Sequence, residues 1–380
     1  MVLITTIFLA NTYGYNMKFL KDFNKTVSKM GEGVNTDTSP PDWWFGSGNY
    51  VLNKIIAGNF DRCIGQGRVT GLAGPSGAGK SFLLANIIKQ AQKEGAYILL
   101  LDSEGAFDDD WATAIGIDVT SENYNCIQVC TIPQVVKIVS SFTKGYREDY
   151  PDGKGPKVLI AVDSCDMLMT DSESEKYDKG NPNADQGQHP KQIKQMLKTF
   201  VNDIKSLYVS MIVTKQVYPA NHDQLLKGEG AWVVNDAIRY SLSQIMLITK
   251  LKLKSDSGIT GIRMKVEGFK TRFAKPFQQV TIEVPYDTGM NPYSGLLDVA
   301  VNMGIVTKRG AWNYIEGTDI SWSGEKNTTE AHYSKILELA ATKDVFLQVD
   351  EEDDVSAAAS RQKKLMEKHA PKDDESVDVD

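Results

Sequence analysis

The sequence predicts an α/β fold with a mostly parallel central sheet and antiparallel additions, and three observations carry that expectation. Four apolar runs, "YILLLD" (97–102), "VLIAVD" (158–163), "VSMIVTK" (209–215) and "QIMLITKLKL" (244–253), are continuous rather than alternating, as strands buried on both faces require. Helical patterns lie between them. Ahead of them all, "GRVTGLAG" reads as a short buried strand that enters a glycine-rich turn, and Leu83, Leu84, Ile87, Ile88 and Ala91 follow at helical spacing.

That turn holds the first chemistry. In "GLAGPSGAGKSF" (71–82), Gly74, Gly79, Lys80 and Ser81 satisfy G-x-x-x-x-G-K-[ST]. The loop Gly74, Pro75, Ser76, Gly77, Ala78, Gly79, Lys80 and Ser81 would cradle phosphates through the backbone N–H groups that all but Pro75 carry, Lys80 would reach the terminal phosphates and the Ser81 hydroxyl would hold Mg²⁺. Strand, loop and helix occur in the required order, so a nucleoside triphosphate is the expected ligand, ATP with Mg²⁺.

Hydrolysis needs more than a cradle: a carboxylate to orient the metal and a group to activate water. Asp163 ends the buried run 158–163 and can hold Mg²⁺ through water; a helix-capping aspartate is the structural alternative. Glu104, in "YILLLDSEGAFDDDW", stands just beyond a strand end on the phosphate-loop edge, where open α/β sheets bind ligands, and is the candidate general base.

Another helix is read from Ile193, Met196, Leu197, Phe200, Val201, Ile204 and Leu207. Lys191, Lys194, Lys198 and Lys205 avoid its apolar stripe, as a solvated face or a DNA contact. After residue 253, "IRMKVEGFK" and "QQVTIEV" alternate as antiparallel additions would.

Composition bounds the organisation. The chain of 380 residues is 41% hydrophobic and 24% charged, ordinary for a globular protein. Its net charge of −7 is a tail property: residues 344–380 hold 12 acidic and 5 basic side chains, so the preceding residues sum to zero. The tail reads as a solvated, flexible extension, serving solubility or competing internally for a basic DNA site. The expected partition is an arm at 1–41 that would carry a subunit contact, a core at 42–320, and a helical segment with the acidic tail at 321–380. Cys63, Cys126, Cys130 and Cys165 form no C-x-x-C pair, and "CIQVC" reads as a buried strand with structural thiols, which points to a reducing compartment. "MVLITTIFLA" lacks a basic n-region and a cleavage site and is too short to span a bilayer. Met17 would serve equally well as a start residue. The expectation is a soluble, cytoplasmic protein with no membrane partner.

The phosphate loop, "DSEGAFDDDWA", "VLIAVDS", "VTKQVY", "VEGFKTRFAKPF" and "NPYSGLLDVAV" stand in an order that resembles the RecA-type recombinases, above all the UvsX recombinases of tailed bacteriophages. The resemblance covers roughly residues 42–317. It implies a RecA-like P-loop ATPase core, a DNA-dependent ATPase, and a homo-oligomeric helical filament on single-stranded DNA that pairs with duplex DNA. The setting it implies is phage recombination, repair and replication in the host cell cytoplasm, with single-strand-binding and mediator proteins as partners. Glu104 matches the water-activating glutamate, and Asp108 and Trp111 match adenine contacts, although Trp111 reads equally as a core residue. Gln216 matches the γ-phosphate sensor. Lys270 and Arg272, taken as alternate residues of one strand, resemble a basic pair reaching a neighbouring subunit's ATP; two exposed strand charges are the alternative.

Two long polar intervals, 170–189 and 217–234, fall where this family contacts DNA. The first holds five acids against Lys176 and Lys179, a balance that disfavours phosphate contact. The second offers Lys227, Gly228, Gly230 and Trp232 as a charge, two close-approach glycines and a stacking surface. Two rival functions share the nucleotide site: a RecA-fold helicase or other DNA-stimulated motor, and a nucleotide-controlled scaffold with little turnover.

Overall fold

The computed structural model describes residues 40–343 apart from 181–186, 221–231, 235 and 256–257, together with residues 22, 25 and 26. The chain divides into two units, residues 1–42 and 43–380, and the elements below belong to the second.

Eight strands form the main sheet: β1 (Val69–Gly74), β2 (Tyr97–Asp102), β3 (Tyr124–Gln128), β4 (Val158–Asp163), β5 (Val209–Gln216), β6 (Gln244–Ser255), β7 (Gly258–Lys270) and β8 (Gln279–Pro285). Their order across the sheet is β8-β7-β6-β1-β5-β4-β2-β3. From β6 to β3 every neighbouring pair is parallel, and the β6–β7 and β7–β8 pairs are antiparallel. The helices are α1 (Tyr50–Ala57), α2 (Lys80–Lys93), α3 (Asp109–Ile115), α4 (Ile132–Asp149), α5 (Asp171–Asp178), α6 (Gln188–Ile204), α7 (Asp236–Ser241), α8 (Leu296–Asn302) and α9 (Glu330–Ala340).

The apolar runs are continuous because both faces of the sheet are covered. Side chains alternate along each strand, so Leu72, Ile98, Leu100, Leu159 and Ala161 pack with Leu83, Leu84, Ile87 and Ile88 of α2. Leu99, Leu101, Ile160, Val162, Met211 and Val213 face the other way, against α4 and α6. In α6, Ile193, Met196, Leu197, Phe200 and Ile204 are buried, while Lys191, Lys194 and Lys198 are exposed.

Several expectations change. β6 is not apolar throughout: it pairs with β1 only from Gln244 to Leu247, then leaves as a hairpin with β7 in which Lys250, Lys252 and Lys254 are exposed. Alternation in "KLKLK" marks that exit. Cys130 lies beyond the end of β3 and is exposed, and Cys126 is half-buried, because β3 is the sheet's edge strand. The interval 170–189 is not all loop: Thr170 caps α5, with Glu173 completing a capping box, and α6 begins at Gln188. The partition at residue 320 falls between two paired strands, Trp312–Ile315 and Ser321–Ser323, of a small three-stranded sheet that continues the main core through Val306, Ile315 and Trp322. Among the described residues no helix is long and apolar enough to cross a membrane.

Candidate functional site

The phosphate loop joins β1 to α2. Gly74, the last residue of β1, has no room for a side chain, since a Cβ there would stand 2.5 Å from the Ile248 carbonyl oxygen. Gly79 is the N-cap of α2 at φ 99°, a left-handed conformation that aims the helix N-terminus at the loop. Lys80 Nζ donates to the carbonyls of Gly74 and Pro75, each at 3.0 Å. Burial lowers the Lys80 pKa, while the charges of Glu104, Asp163 and Asp166 act in the opposite sense.

One cavity of about 300 Å³ gathers eight of the sequence candidates, Ser76, Gly77, Gly79, Lys80, Ser81, Glu104, Asp163 and Gln216, joined by Phe82, Ser164 and Asp166. It lies at the carboxyl ends of β1, β2, β4 and β5, the ligand edge of an open α/β sheet. Asp163 is buried. Its Oδ1 accepts from the Thr214 hydroxyl, and Oδ2 has no hydrogen-bond partner. Burial raises its pKa; the Thr214 and Ser81 hydroxyls lower it, and Glu104 and Asp102 raise it further. A cis peptide bond links Asp163 to Ser164.

Glu104 is positioned by neighbours that the sequence reading passed over. Ser164 Oγ donates to Glu104 Oε1 at 2.6 Å, and Ser103 Oγ donates to the Ser164 carbonyl at 2.7 Å. Asp102, buried at the end of β2, holds the turn: Oδ1 accepts the amides of Glu104 and Gly105 at 3.0 and 2.9 Å, and Oδ2 that of Phe107 at 3.1 Å. A readable signal existed. "YILLLD" and "VLIAVD" both end in aspartate, and the register pairs Asp102 with Asp163.

Asp166, in the turn after β4, reaches the end of β5: it forms an ion pair with Lys215 through Oδ1 and accepts the Gln216 amide at 2.6 Å through Oδ2. Gln216 leads into Tyr218–Pro219, which pairs with Trp232–Val233 and closes the second polar interval. Trp232 is half-buried against the core. Lys227, Gly228 and Gly230 lie outside the described residues.

Other candidates lie apart from the cavity lining. Asp108 is the N-cap of α3, accepting the Trp111 amide at 2.8 Å, and Trp111 packs edge-on to Phe107 with ring centroids 5.2 Å apart. Lys270 ends β7, and its ammonium donates to the carbonyls of Arg239 and Leu242 at 2.6 and 2.7 Å. Arg272 lies past the strand end, in a bend, so the two are not alternate residues of one strand. It lines a separate cavity of about 470 Å³ with Lys54 and Lys275.

With this geometry in place, comparison with known proteins decides the family. Residues 21–291 match the family described as the RecA N-terminal domain. The chain belongs to the RecA family. Similar curated proteins include Protein RecA of Clostridioides difficile (strain 630), 25% identical over 351 residues, which are 90% of this chain and 93% of that protein. Protein RecA of Chlorobium chlorochromatii (strain CaD3) is 24% identical over 320 residues, 81% of each chain. Protein RecA of Acholeplasma laidlawii (strain PG-8A) is 24% identical over 314 residues, 82% of this chain and 87% of that one. The RecA-family match takes in the whole cavity and stops before the three-stranded sheet, whose first strand is Val306–Arg309.

Proposed function

We propose that this RecA-family protein is an ATP-dependent DNA recombinase of the UvsX type. It polymerises as a helical filament on single-stranded DNA and exchanges strands with a homologous duplex, in the cytoplasm of a phage-infected cell. The observation that carries the reading is the path through Gln216: this residue lines the nucleotide cavity, and two residues later the chain enters the ribbon that closes the expected DNA-contacting interval. Family members are DNA-dependent ATPases that bind DNA and form filaments, which supports joining the two ends of that path.

In this reading the loop amides and Lys80 hold the triphosphate of ATP, and Glu104, oriented by Ser164, takes the proton of the attacking water. Products are ADP and phosphate. The donor set suits Mg²⁺, which favours one or two carboxylates together with substrate phosphates and water: Asp163 Oδ2 is buried and unpartnered, and the Ser81 hydroxyl shares its cavity. When bound, the ion neutralises charge on the phosphates. Asp163 and Ser81 are the groups that would hold it, Asp163 through water. Asp108 and Trp111 would contact adenine. Lys270 and Arg272 would act on a neighbouring subunit's ATP, Lys270 exchanging its carbonyl partners for phosphate. Lys227, Gly228, Gly230 and Trp232 would contact the DNA, and a phage single-strand-binding protein and mediator would assist loading.

ATP turnover measured with and without long single-stranded DNA, followed by three-strand exchange on the same mixtures, tests the reading. Stimulation with joint molecules is expected. Stimulation with unwinding and no exchange would replace it with a helicase, and ATP binding without DNA response would leave a nucleotide-controlled scaffold.

A further inference from the structure

Beyond Leu247, its last residue paired to β1, β6 runs on past the phosphate loop beside β7. The antiparallel register sets Lys250 opposite Met264 and Lys252 opposite Ile262, so these four residues share one face. Near the loop that face lies on two left-handed glycines. A Cβ on Gly79 would stand 2.8 Å from Met264 Cε and 3.7 Å from Ile262 Cδ1, and one on Gly77 would stand 3.3 Å from Lys250 Nζ. Gly77 also lines the nucleotide cavity. The Lys250 ammonium is therefore one glycine away from it, and any side chain at position 77 would crowd the path between.

Lys250 is exposed, and its ammonium makes no ion pair or hydrogen bond among the described residues. The cavity lining is short of positive charge: Glu104, Asp163 and Asp166 stand against Lys80 alone. A polyphosphate entering there adds further negative charge. A lysine suits the need, being a compact charge on a flexible stem whose head can move while the stem stays on the strand.

We infer that Lys250 is a second cation of the nucleotide site, which closes over Gly77 onto the polyphosphate of a bound nucleoside triphosphate. This rests on the reading of the loop as a triphosphate site. Lys80 grips the phosphates from the start of α2, and Lys250 meets them from the β6–β7 hairpin. Charge, not shape, is the contribution.

The test is calorimetric titration of the full chain with ATP and with ADP, in Mg²⁺ buffer without DNA, over a range of salt. K250A is expected to weaken ATP binding by about three- to tenfold, within reach of one partly exposed charge. The loss should be smaller for ADP, and the salt dependence shallower than in the unaltered protein. K250R should restore affinity, K252A should leave it alone, and unfolding midpoints without nucleotide should agree among all variants. Unchanged ATP affinity in K250A, with K80A losing binding, overturns the role of Lys250 and spares the triphosphate site. Equal losses in K250A and K250R overturn it too, by making the contact one of packing. If K80A also binds ATP normally, the triphosphate site itself fails.

Discussion

Asp163 is buried with one carboxylate oxygen unpartnered, an arrangement that costs stability. Its folded pKa is raised by burial, so between the ordinary carboxylate value and the raised one the unfolded chain has released its proton and the folded chain has kept it. Stability from this residue therefore falls as pH rises through that window and stays reduced above it. D163N removes the charge and is expected to stabilise the nucleotide-free protein at neutral pH by about 1 kcal/mol, roughly 2 °C in Tm. The same variant should lose ATP turnover by about a hundredfold or more. Thermal melts across pH together with turnover check both halves, and a less stable D163N would refute the assignment. Asp102 makes the opposite case. Its carboxylate accepts three backbone amides of the Glu104 turn, so D102A should cost about 1–3 kcal/mol and lower turnover by misplacing Glu104. ATP affinity, set mainly by the loop, should fall much less; an equal loss in affinity and turnover would show that Asp102 supports the whole site.

Among the elements, those built on long continuous runs were legible in the sequence. β2 and β4 occupy the stretches read from "YILLLD" and "VLIAVD", because full burial on two faces leaves no polar position to blur the pattern. The phosphate loop was legible because its glycines answer to local backbone geometry. What the sequence hid depends on contacts between distant segments. Asp166 is one aspartate among many until β4 and β5 pair and bring it to Lys215 and to the Gln216 amide. Lys250 falls inside a run that reads as a buried strand until the hairpin sets it against Gly77. Helix α5 escapes periodicity because its segment carries no apolar stripe and buries no residue; only its capping box, Thr170 with Glu173, marks it in the sequence. The Asp166 clamp carries a prediction at this scale. If β5 couples the cavity to the ribbon of Tyr218–Pro219 and Trp232–Val233 that is proposed to face DNA, D166A should reduce the ratio of DNA-stimulated to basal turnover by about tenfold, a usual size for coupling between sites. A ratio that does not change would assign Asp166 to local packing alone.

For the whole molecule, the distribution of charge bears on how it meets DNA. Residues 344–380 carry the entire net charge of −7, and the remaining residues are balanced. A balanced body has little long-range attraction for a polyanion, so DNA contact would rely on local cations, for which the exposed lysines of α6 are candidates. An acidic segment tethered to the same chain would compete for those cations at high effective concentration, and single-stranded DNA would then have to displace it. Removing residues 344–380 is therefore expected to tighten single-stranded DNA binding at low salt, by about three- to tenfold. The advantage should shrink as salt rises, since the Debye length falls from about 10 Å at 0.1 M to about 3 Å at 1 M. Fluorescence titration of a labelled oligonucleotide over that range separates the cases. A gain that fades with salt identifies electrostatic competition by the tail. A gain of the same size at every salt concentration would instead mean that the tail blocks the site by occupying space, and no gain at all would leave it the role of keeping the protein soluble.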